Sequence, residues 1–351
     1  MHRFHFTRVL LITAVCCFAC ESRSQSTHGT LLALSKGDHT LAIVDAVSLK
    51  VLGKAPVGED PHEVIASQDG KTAYVSIYGG GRFHEINVID IAAHKALDNI
   101  DTRPLWGPHG LDFQAGKVWF SAEGSKAVGS YDPASGKLDW SMGTGQNRTH
   151  MLLVTADAKK IFTTNVESGT VSILESVTVA MPGPPGGNRP AGGNRQAGPG
   201  PRTDWMQTVV PVATGCEGFD ISPKNGELWT ASSNDGKIYI VDTASKKVTA
   251  KIDAKVFGAN RVKFSVDGKM VFVTSLRDGH LFVFDAQARK FSKQIEVGHG
   301  AAGILTDPDG SRVFVACTPD NYIAIVDLKT FQVTGHLDVG AGPDGMAWVP
   351  Q

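Results

Sequence analysis

The sequence predicts an all-β fold built from repeated four-stranded units, and three observations lead to this prediction. A strand-ending apolar-acidic pair recurs seven times along the chain at nearly equal steps. Asp-Gly and Asn-Gly pairs fall in phase with it, and such pairs form the turns that join antiparallel strands. No segment has the helical period that a crossover helix needs. Four antiparallel strands per period of about forty residues are typical of a propeller blade, so we expect a seven-bladed β-propeller.

The recurring pair is an apolar or aromatic residue followed by an acid at the end of a third strand. Successive acids are separated by about 42 to 45 residues, with one longer step of about 67. The pairs are Val44-Asp45, Ile89-Asp90, Tyr131-Asp132, Leu174-Glu175, Val241-Asp242, Phe284-Asp285 and Val326-Asp327. The turn pairs are Asp69-Gly70, Asn225-Gly226, Asp267-Gly268 and Asp309-Gly310. We expect the recurring acids to close Asx turns.

The two ends of the chain predict how the ring closes. One complete unit shows four strands, at residues 260–264, 271–274, 281–284 and 291–295. The first unit begins at residues 31–34 with a second strand, and the chain ends at residues 346–349 with a first strand that has no partner in its own unit. Pairing these two segments completes the seventh blade and removes two open sheet edges. A solenoid, the competing architecture, needs no such matched ends.

The N-terminus predicts export. Arg3 and Arg8 precede a short apolar stretch, residues 9–19, which is typical of a signal peptide. Two routes stay open. Cleavage after Ala19 gives a soluble exported protein, whereas lipid modification of Cys20 anchors it to a membrane through a tether over residues 20–28. We therefore expect a signal peptide at 1–19, a linker at 20–28 and the propeller at 29–351, in the periplasm or at the cell surface.

The long step in the repeat contains a Gly-Pro-Asn-Arg insertion over residues 179–204. This composition buries little apolar surface, so we expect a disordered loop between the third and fourth strands of its blade. Two interpretations stay open. Arg189, Arg195 and Arg202 provide basic contacts for docking, or the segment is a tolerated surface loop. Strand order places it on the face opposite the links between blades.

A family resemblance follows from the strand motifs. Ala73-Tyr74-Val75-Ser76, Val271-Phe272-Val273-Thr274 and Ile323-Ala324-Ile325-Val326-Asp327 resemble the repeats of YVTN-repeat (YncE-like) seven-bladed propellers. The resemblance covers the chain from about residue 29 to the end. It implies the propeller fold and no particular chemistry, because one fold serves many functions.

Aligning the units places one position at the start of each innermost strand, where seven residues should surround a mouth of the central channel. We call these residues the ring positions, and they are His62, His109, His150, Glu217, Asn260, Ala302 and Asp344. Imidazoles and carboxylates are ligands of divalent metals such as Zn²⁺, so His62, His109, His150, Glu217 and Asp344 are candidate metal ligands. A water-filled vestibule or small-ligand site, and a purely structural role, are the alternatives. We expect the imidazoles to face channel water.

Side chains of the loops around this mouth are candidates for ligand binding. Trp and Arg contribute most to binding when they are desolvated, and a glycine-rich loop at residues 79–81 adds mobility. The candidate ligand-binding residues are Tyr78, Arg82, His84, Trp106, Arg148, Asn260, Arg261 and His299. No catalytic residue is assigned, since neither a nucleophile-elbow motif nor a heme-attachment motif is present.

Three functions remain open. The first is a binding or interaction protein of the cell envelope that takes a small molecule, a protein or a divalent metal at the mouth. The second is a metal-assisted lyase or lactonase, because Gly107-Pro108-His109-Gly110-Leu111 and Gly129-Ser130-Tyr131-Asp132-Pro133 resemble one blade of streptogramin B lyase. That resemblance implies a divalent metal and a histidine base. The third is a structural surface protein without a small-molecule site.

Charge and cysteine content narrow the partners. The 34 basic and 35 acidic residues nearly cancel and form no basic run, so no nucleic-acid partner is indicated. We expect a monomer, and the lipid modification of Cys20, which stays open, is the only membrane contact that the sequence offers. In the propeller, beyond the signal peptide and the linker, only Cys216 and Cys317 remain, and they fall two blades apart, so we expect no disulfide.

Overall fold

The computed structural model describes residues 29–179 and 201–350. In these two ranges the chain forms β-strands and three short 3-10 turns, at Gly79–Gly81, Glu123–Ser125 and Thr318–Asp320. The strands are β1 Thr30–Ser35, β2 Thr40–Asp45, β3 Lys50–Pro56, β4 Pro61–Ala66, β5 Thr72–Ile77, β6 Glu85–Asp90, β7 Lys95–Ala96, β8 Ile100–Asp101, β9 Pro108–Gln114, β10 Lys117–Ala122, β11 Ala127–Asp132, β12 Lys137–Gly143, β13 Thr149–Val154, β14 Lys160–Asn165, β15 Thr170–Val179, β16 Arg202–Pro211, β17 Cys216–Ile221, β18 Glu227–Ser232, β19 Ile238–Asp242, β20 Lys247–Ile252, β21 Ala259–Phe264, β22 Met270–Ser275, β23 His280–Asp285, β24 Lys290–Glu296, β25 Ala301–Thr306, β26 Arg312–Cys317, β27 Tyr322–Asp327, β28 Gln332–Leu337 and β29 Pro343–Trp348. No helix within these ranges has the length and apolarity needed to span a membrane.

The described strands form seven antiparallel sheets arranged in a ring, which confirms the predicted seven-bladed β-propeller. Blade 1 has the order β29-β1-β2-β3, and blades 2 to 7 begin at β4, β9, β13, β17, β21 and β25. The outermost strand of blade 2 is divided into β7 and β8, which both pair with β6. The innermost strand of each blade contacts that of the next, from β29 through β4, β9, β13, β17, β21 and β25 back to β29.

The burial pattern explains why these segments form blades. A middle strand is covered on both faces by neighbouring blades, so β26 after Arg312 is apolar without interruption, and Val313 to Cys317 are fully buried. An outermost strand is covered on one face only, and β12 accordingly alternates between exposed and half-buried residues. The buried apolar clusters lie between adjacent blades, and their burial stabilises the ring.

The ring closes where the ends of the sequence predict. Strand β29 pairs with β1, with Leu31 opposite Trp348 and Ala33 opposite Met346. Leu31 and Ala33 are fully buried in a cluster that also contains Phe314 of blade 7. The closure is therefore a hydrogen-bonded sheet edge and a packed junction between blades.

Two predictions about side chains outside the site agree with the structure. Six of the seven recurring acids accept a backbone N–H from two or three residues further along and so close Asx turns; they are Asp45, Asp90, Asp132, Asp242, Asp285 and Asp327. Glu175 instead forms ion pairs with Lys160 and Lys246. Cys216 and Cys317 are both buried and unpaired.

Three predicted segments concern residues outside the described ranges. The signal peptide at 1–19 and the linker at 20–28 lie before the first described residue, and most of the insertion, 180–200, lies between the two ranges. The flanking strands β15 and β16 pair as far as Val179 opposite Arg202. Val179 and residues 202–204 therefore belong to strands, and the insertion joins the third and fourth strands of blade 4 as expected.

Candidate functional site

The seven ring positions line a single cavity at one end of the channel, which we call the mouth cavity. Its volume is about 450 Å³. Besides the ring positions it is lined by Lys36, Tyr78, Arg148, Arg261, Leu276, Gly300, Thr318 and Pro319. The added side chains come from links between blades, from the loops between second and third strands, or from the residue after a ring position, so the cavity opens on the face predicted from strand order.

A β-bulge at each innermost strand aims the ring residue into the cavity. In blade 2, for example, His62 and Glu63 together lie opposite Ser76, and every other blade has an equivalent two-to-one pairing. The hydroxyl of Ser76 accepts the Glu63 N–H at 3.1 Å. In blade 6 the Thr274 hydroxyl does the same and also donates to the Ala302 carbonyl of the next blade at 2.9 Å. These hydroxyls fix the ring residues relative to their neighbours.

Glycines after four ring positions let the innermost strands approach closely. A Cβ at Gly345 would lie 2.3 Å from the His62 carbonyl oxygen, and one at Gly303 would lie 2.1 Å from the Asp344 carbonyl oxygen. Gly110 and Gly218 are equally constrained by backbone atoms of the next blade. A glycine therefore follows the ring position in four of the seven blades, and the sequence shows this pattern. Our alignment compared only the ring positions themselves and missed it.

The other three residues in this layer are long, and two of them cross the channel. Arg261 of blade 6 forms an ion pair with Glu63 of blade 2, and its Nη1 donates to Asn260 at 3.2 Å. Met151 occupies the third position. A further cavity of about 290 Å³ lies beyond these side chains and is lined by all three. The ion pair therefore forms a floor that separates the mouth cavity from the rest of the channel.

Three imidazoles pack against each other in one wall. The ring centroids of His62 and His109 are 4.8 Å apart, and those of His109 and His150 are 3.8 Å apart. Tyr78 contacts His62 and His109 edge to face at 4.9 and 5.0 Å. The expectation that these imidazoles face channel water was wrong for two of them, since His109 is only 1% exposed and His150 only 4%. Mutual packing of the rings excludes the water.

His109 is the most unusual member of this wall. Its Nδ1 is buried and has no hydrogen-bond partner. Burial, followed by repulsion from His150 and His62, holds the pKa of His109 well below its usual range. The ring is therefore neutral at pH 7, and a buried polar atom without a partner costs about 1–3 kcal/mol unless something satisfies it.

Glu123 holds one side of the wall in place. Its Oε2 lies 2.8 Å from His150 Nδ1, while Oε1 accepts from the Tyr78 hydroxyl at 2.6 Å and from Arg148 Nε at 3.0 Å. Burial alone would raise the pKa of Glu123, but the hydrogen bond from His150 and the other two donors lower it to about 2. A carboxylate at Nδ1 fixes the proton there and leaves His150 Nε2 as an acceptor. Nε2 lies 3.9 Å from Glu217 Oε2.

Lys36 holds the other side of the histidine wall, at His62. Its ammonium lies 2.9 Å from His62 Nε2, 3.1 Å from Asp60 Oδ1 and 3.5 Å from Asp344 Oδ2. Burial, and then the charge of Lys36, lower the pKa of His62. Burial would raise the pKa of Asp60, but His62 and Lys36 lower it.

The structure separates the predicted ligand-binding residues into two groups. Tyr78, Arg148, Asn260 and Arg261 line the mouth cavity. The other four do not line it. Arg82 is exposed, His84 packs against Trp106 with centroids 4.8 Å apart, and His299 is 88% exposed beside Asp320. Sequence reasoning missed Lys36, Glu123 and Glu63, because the loops and the cross-channel contact that place them have no local signal.

Two structural observations bear on the predicted metal site. Within the described part of the chain, no group of three or more His, Cys, Asp or Glu side chains is arranged to hold a metal ion. The rings of His109 and His150 pack against each other with a tilt of 32° between their planes, whereas the ligand atoms of one ion converge on it at about 2 Å. In the described conformation these side chains are therefore not arranged to hold a divalent metal ion. The metal site at His62, His109, His150, Glu217 and Asp344 stays a prediction.

The fold and the cavity together define the class of this protein, a seven-bladed β-propeller with a polar blind cavity at one mouth. A family model described as the cytochrome D1 heme domain matches residues 228–340, about a third of the chain. No curated protein matches the sequence significantly.

Solved structures show the same architecture. A protein of unknown function from Desulfotomaculum acetoxidans has a TM-score of 0.70 at 11% identity, with 92% of this chain and 100% of that one covered. A candidate 6-phosphogluconolactonase from Bacteroides fragilis has a TM-score of 0.68 at 13% identity, with 92% and 98% covered. The dihydro-heme d1 dehydrogenase NirN in complex with DHE has a TM-score of 0.60 at 15% identity, with 89% and 64% covered. Such low identity shows the fold alone.

Proposed function

We propose that this chain is an exported propeller of the cell envelope that binds a small molecule in the mouth cavity. The observation that supports it best is His109, a buried imidazole in the cavity wall whose Nδ1 has no partner. A cavity of about 450 Å³ with convergent polar groups also falls in the size range of small-molecule sites, about 300–1,000 Å³. Export rests on the sequence of residues 1–28.

Heme binding has less support at this cavity. The family match begins at residue 228, and the three mouth-cavity histidines, His62, His109 and His150, all precede it. The matched segment therefore contributes no imidazole to the described cavity wall, and an axial iron ligand would have to come from outside the match.

The proposal predicts that native protein carries a ligand that depends on His109. We expect native mass spectrometry of protein from the envelope fraction of its host to show a bound small molecule, and His109→Gln to reduce occupancy about tenfold or more. Gln keeps a polar side chain in the buried position, so the fold should survive. His299→Gln is the matched control, since that histidine is exposed on the same face. Equal occupancy in both variants would contradict the proposal, and absence from the envelope fraction would contradict export.

A second candidate function is general-base catalysis, as in the lyase or lactonase alternative. The pairing of Glu123 Oε2 with His150 Nδ1 at 2.8 Å supports it, because it leaves Nε2 free to accept a proton inside the cavity. If the wild-type protein hydrolyses uncharged lactones, His150→Gln should lower the rate of hydrolysis about 10²–10⁴-fold. A wild-type rate no higher than that of buffer would contradict this candidate.

A further inference from the structure

The mouth cavity has more fixed negative than positive charge. The lining groups and the groups bonded directly to them include three cations, Lys36, Arg148 and Arg261. They also include five carboxylates, Asp60, Glu63, Glu123, Glu217 and Asp344. The net charge without the imidazoles is −2.

The cations of the cavity are already paired. Arg148 lies 3.0 Å from Glu123, Lys36 lies 3.1 Å from Asp60, and Arg261 is bonded to Glu63. An anionic ligand would have to share one of these cations with the carboxylate that it already neutralises, and the excess negative charge of the cavity would repel it. The cavity is therefore not prepared for a phosphate or a carboxylate.

Two carboxylates remain available to a ligand. Glu217 Oε2 accepts from Asn260 at 2.8 Å, and its nearest guanidinium, Arg148, is 3.7 Å away. Asp344 has one cation, Lys36, at 3.5 Å. Both residues line the cavity at the two ends of the histidine arc, and their side chains are only 20% and 10% exposed. A positive group between them would gain attraction in a partly dehydrated space.

An aromatic ring and an apolar side favour an organic ligand over a bare ion in this cavity. His109 Nδ1 is buried without a partner in the wall between these carboxylates. Tyr78 adds an aromatic ring to the same wall, and ammonium groups bind to such rings. On the opposite side the cavity is lined by apolar groups, Leu276, Ala302 and Pro319.

We infer that the ligand of the mouth cavity is a small organic cation, with an ammonium group between Glu217 and Asp344 and an apolar portion against Leu276 and Pro319. This inference rests on the proposed function, because it specifies the ligand of the same site.

Calorimetric titration with defined probes tests the charge of the ligand. The cationic probes are choline, tetramethylammonium and putrescine; phosphate and citrate are the anionic probes, and Zn²⁺ and Mn²⁺ are the metals. We expect at least one organic cation to bind with a dissociation constant below about 10 mM. Glu217→Gln or Asp344→Asn should raise this dissociation constant about tenfold. Asp278→Asn is the matched control, since this exposed carboxylate lies on the same face outside the cavity. All variants are first checked for wild-type circular dichroism.

The outcomes separate this inference from the proposed function. Binding of an organic cation that is lost in Glu217→Gln but kept in Asp278→Asn supports the inference. It is overturned if no organic cation binds up to about 10 mM, or if only the anions or only the metals bind. If the inference fails in this way, a native ligand whose occupancy depends on His109 still supports the proposed binding function. If neither an organic cation nor such a native ligand is found, the mouth cavity is rejected as a binding site.

Discussion

Deleting residues 344–351 is expected to abolish the folded monomer. The deletion removes most of β29, so β1 loses its partner and the buried cluster between blades 1 and 7 becomes exposed. It also removes the contacts of β29 with β4 and β25 and so opens the ring. The lost burial and hydrogen bonds amount to several kcal/mol, comparable with the total stability of about 5–15 kcal/mol that is usual for a folded domain. The newly exposed edge of β1 should then favour aggregation.

Size-exclusion chromatography with circular dichroism measures this result. The matched control is deletion of Pro350 and Gln351 alone, which leaves β29 complete and should give a monomer with nearly wild-type unfolding. A soluble, monomeric 344–351 deletion variant with a near-wild-type melting temperature would show that the ring does not depend on this closure.

The fold could be predicted from the sequence because its determinants are local and repeated. Turn pairs such as Asp267-Gly268 and strands such as β22 are recognisable within ten residues, and seven repetitions reinforce each other. The division of the outermost strand of blade 2 into β7 and β8 has no counterpart in the repeat, and the alignment could not show it.

The site could be predicted only as far as the repeat extends. Aligned positions gave the residues that surround the mouth, since a β-bulge returns at the same point in each blade. The groups that set their chemistry come from outside that position. Lys36 reaches His62 from a loop of the preceding blade, and Arg261 meets Glu63 across 198 residues of sequence. Burial of His109 depends on how three rings pack together, which no single position determines.

Acid is expected to remove a stabilising contribution of Glu123. The pKa of this carboxyl is about 2 in the folded protein, against an ordinary value of 4.5. A lowered pKa stabilises the folded state fully above the unfolded value, and the contribution is lost as pH falls from about 4.5 towards 2. Glu123 is only 8% exposed, so solvent screens it little. The contribution at pH 7 should be on the order of 3 kcal/mol.

Urea unfolding of Glu123→Gln from pH 7 to pH 2.5 tests this expectation. The variant should be less stable than wild type by a few kcal/mol at pH 7, because Gln cannot keep the charged contacts with His150 and Arg148. The difference should shrink below pH 4.5, because Glu123 of the wild type is then protonated in the unfolded chain, which lowers the free energy of the unfolded state, while the folded carboxyl stays ionised down to about pH 2. Glu167→Gln is the matched control, because Glu167 is exposed in a loop on the same face and should change stability by less than about 0.5 kcal/mol. A difference between wild type and Glu123→Gln that is independent of pH would mean that Glu123 acts through its shape and packing, and the electrostatic account of the histidine wall would then be wrong.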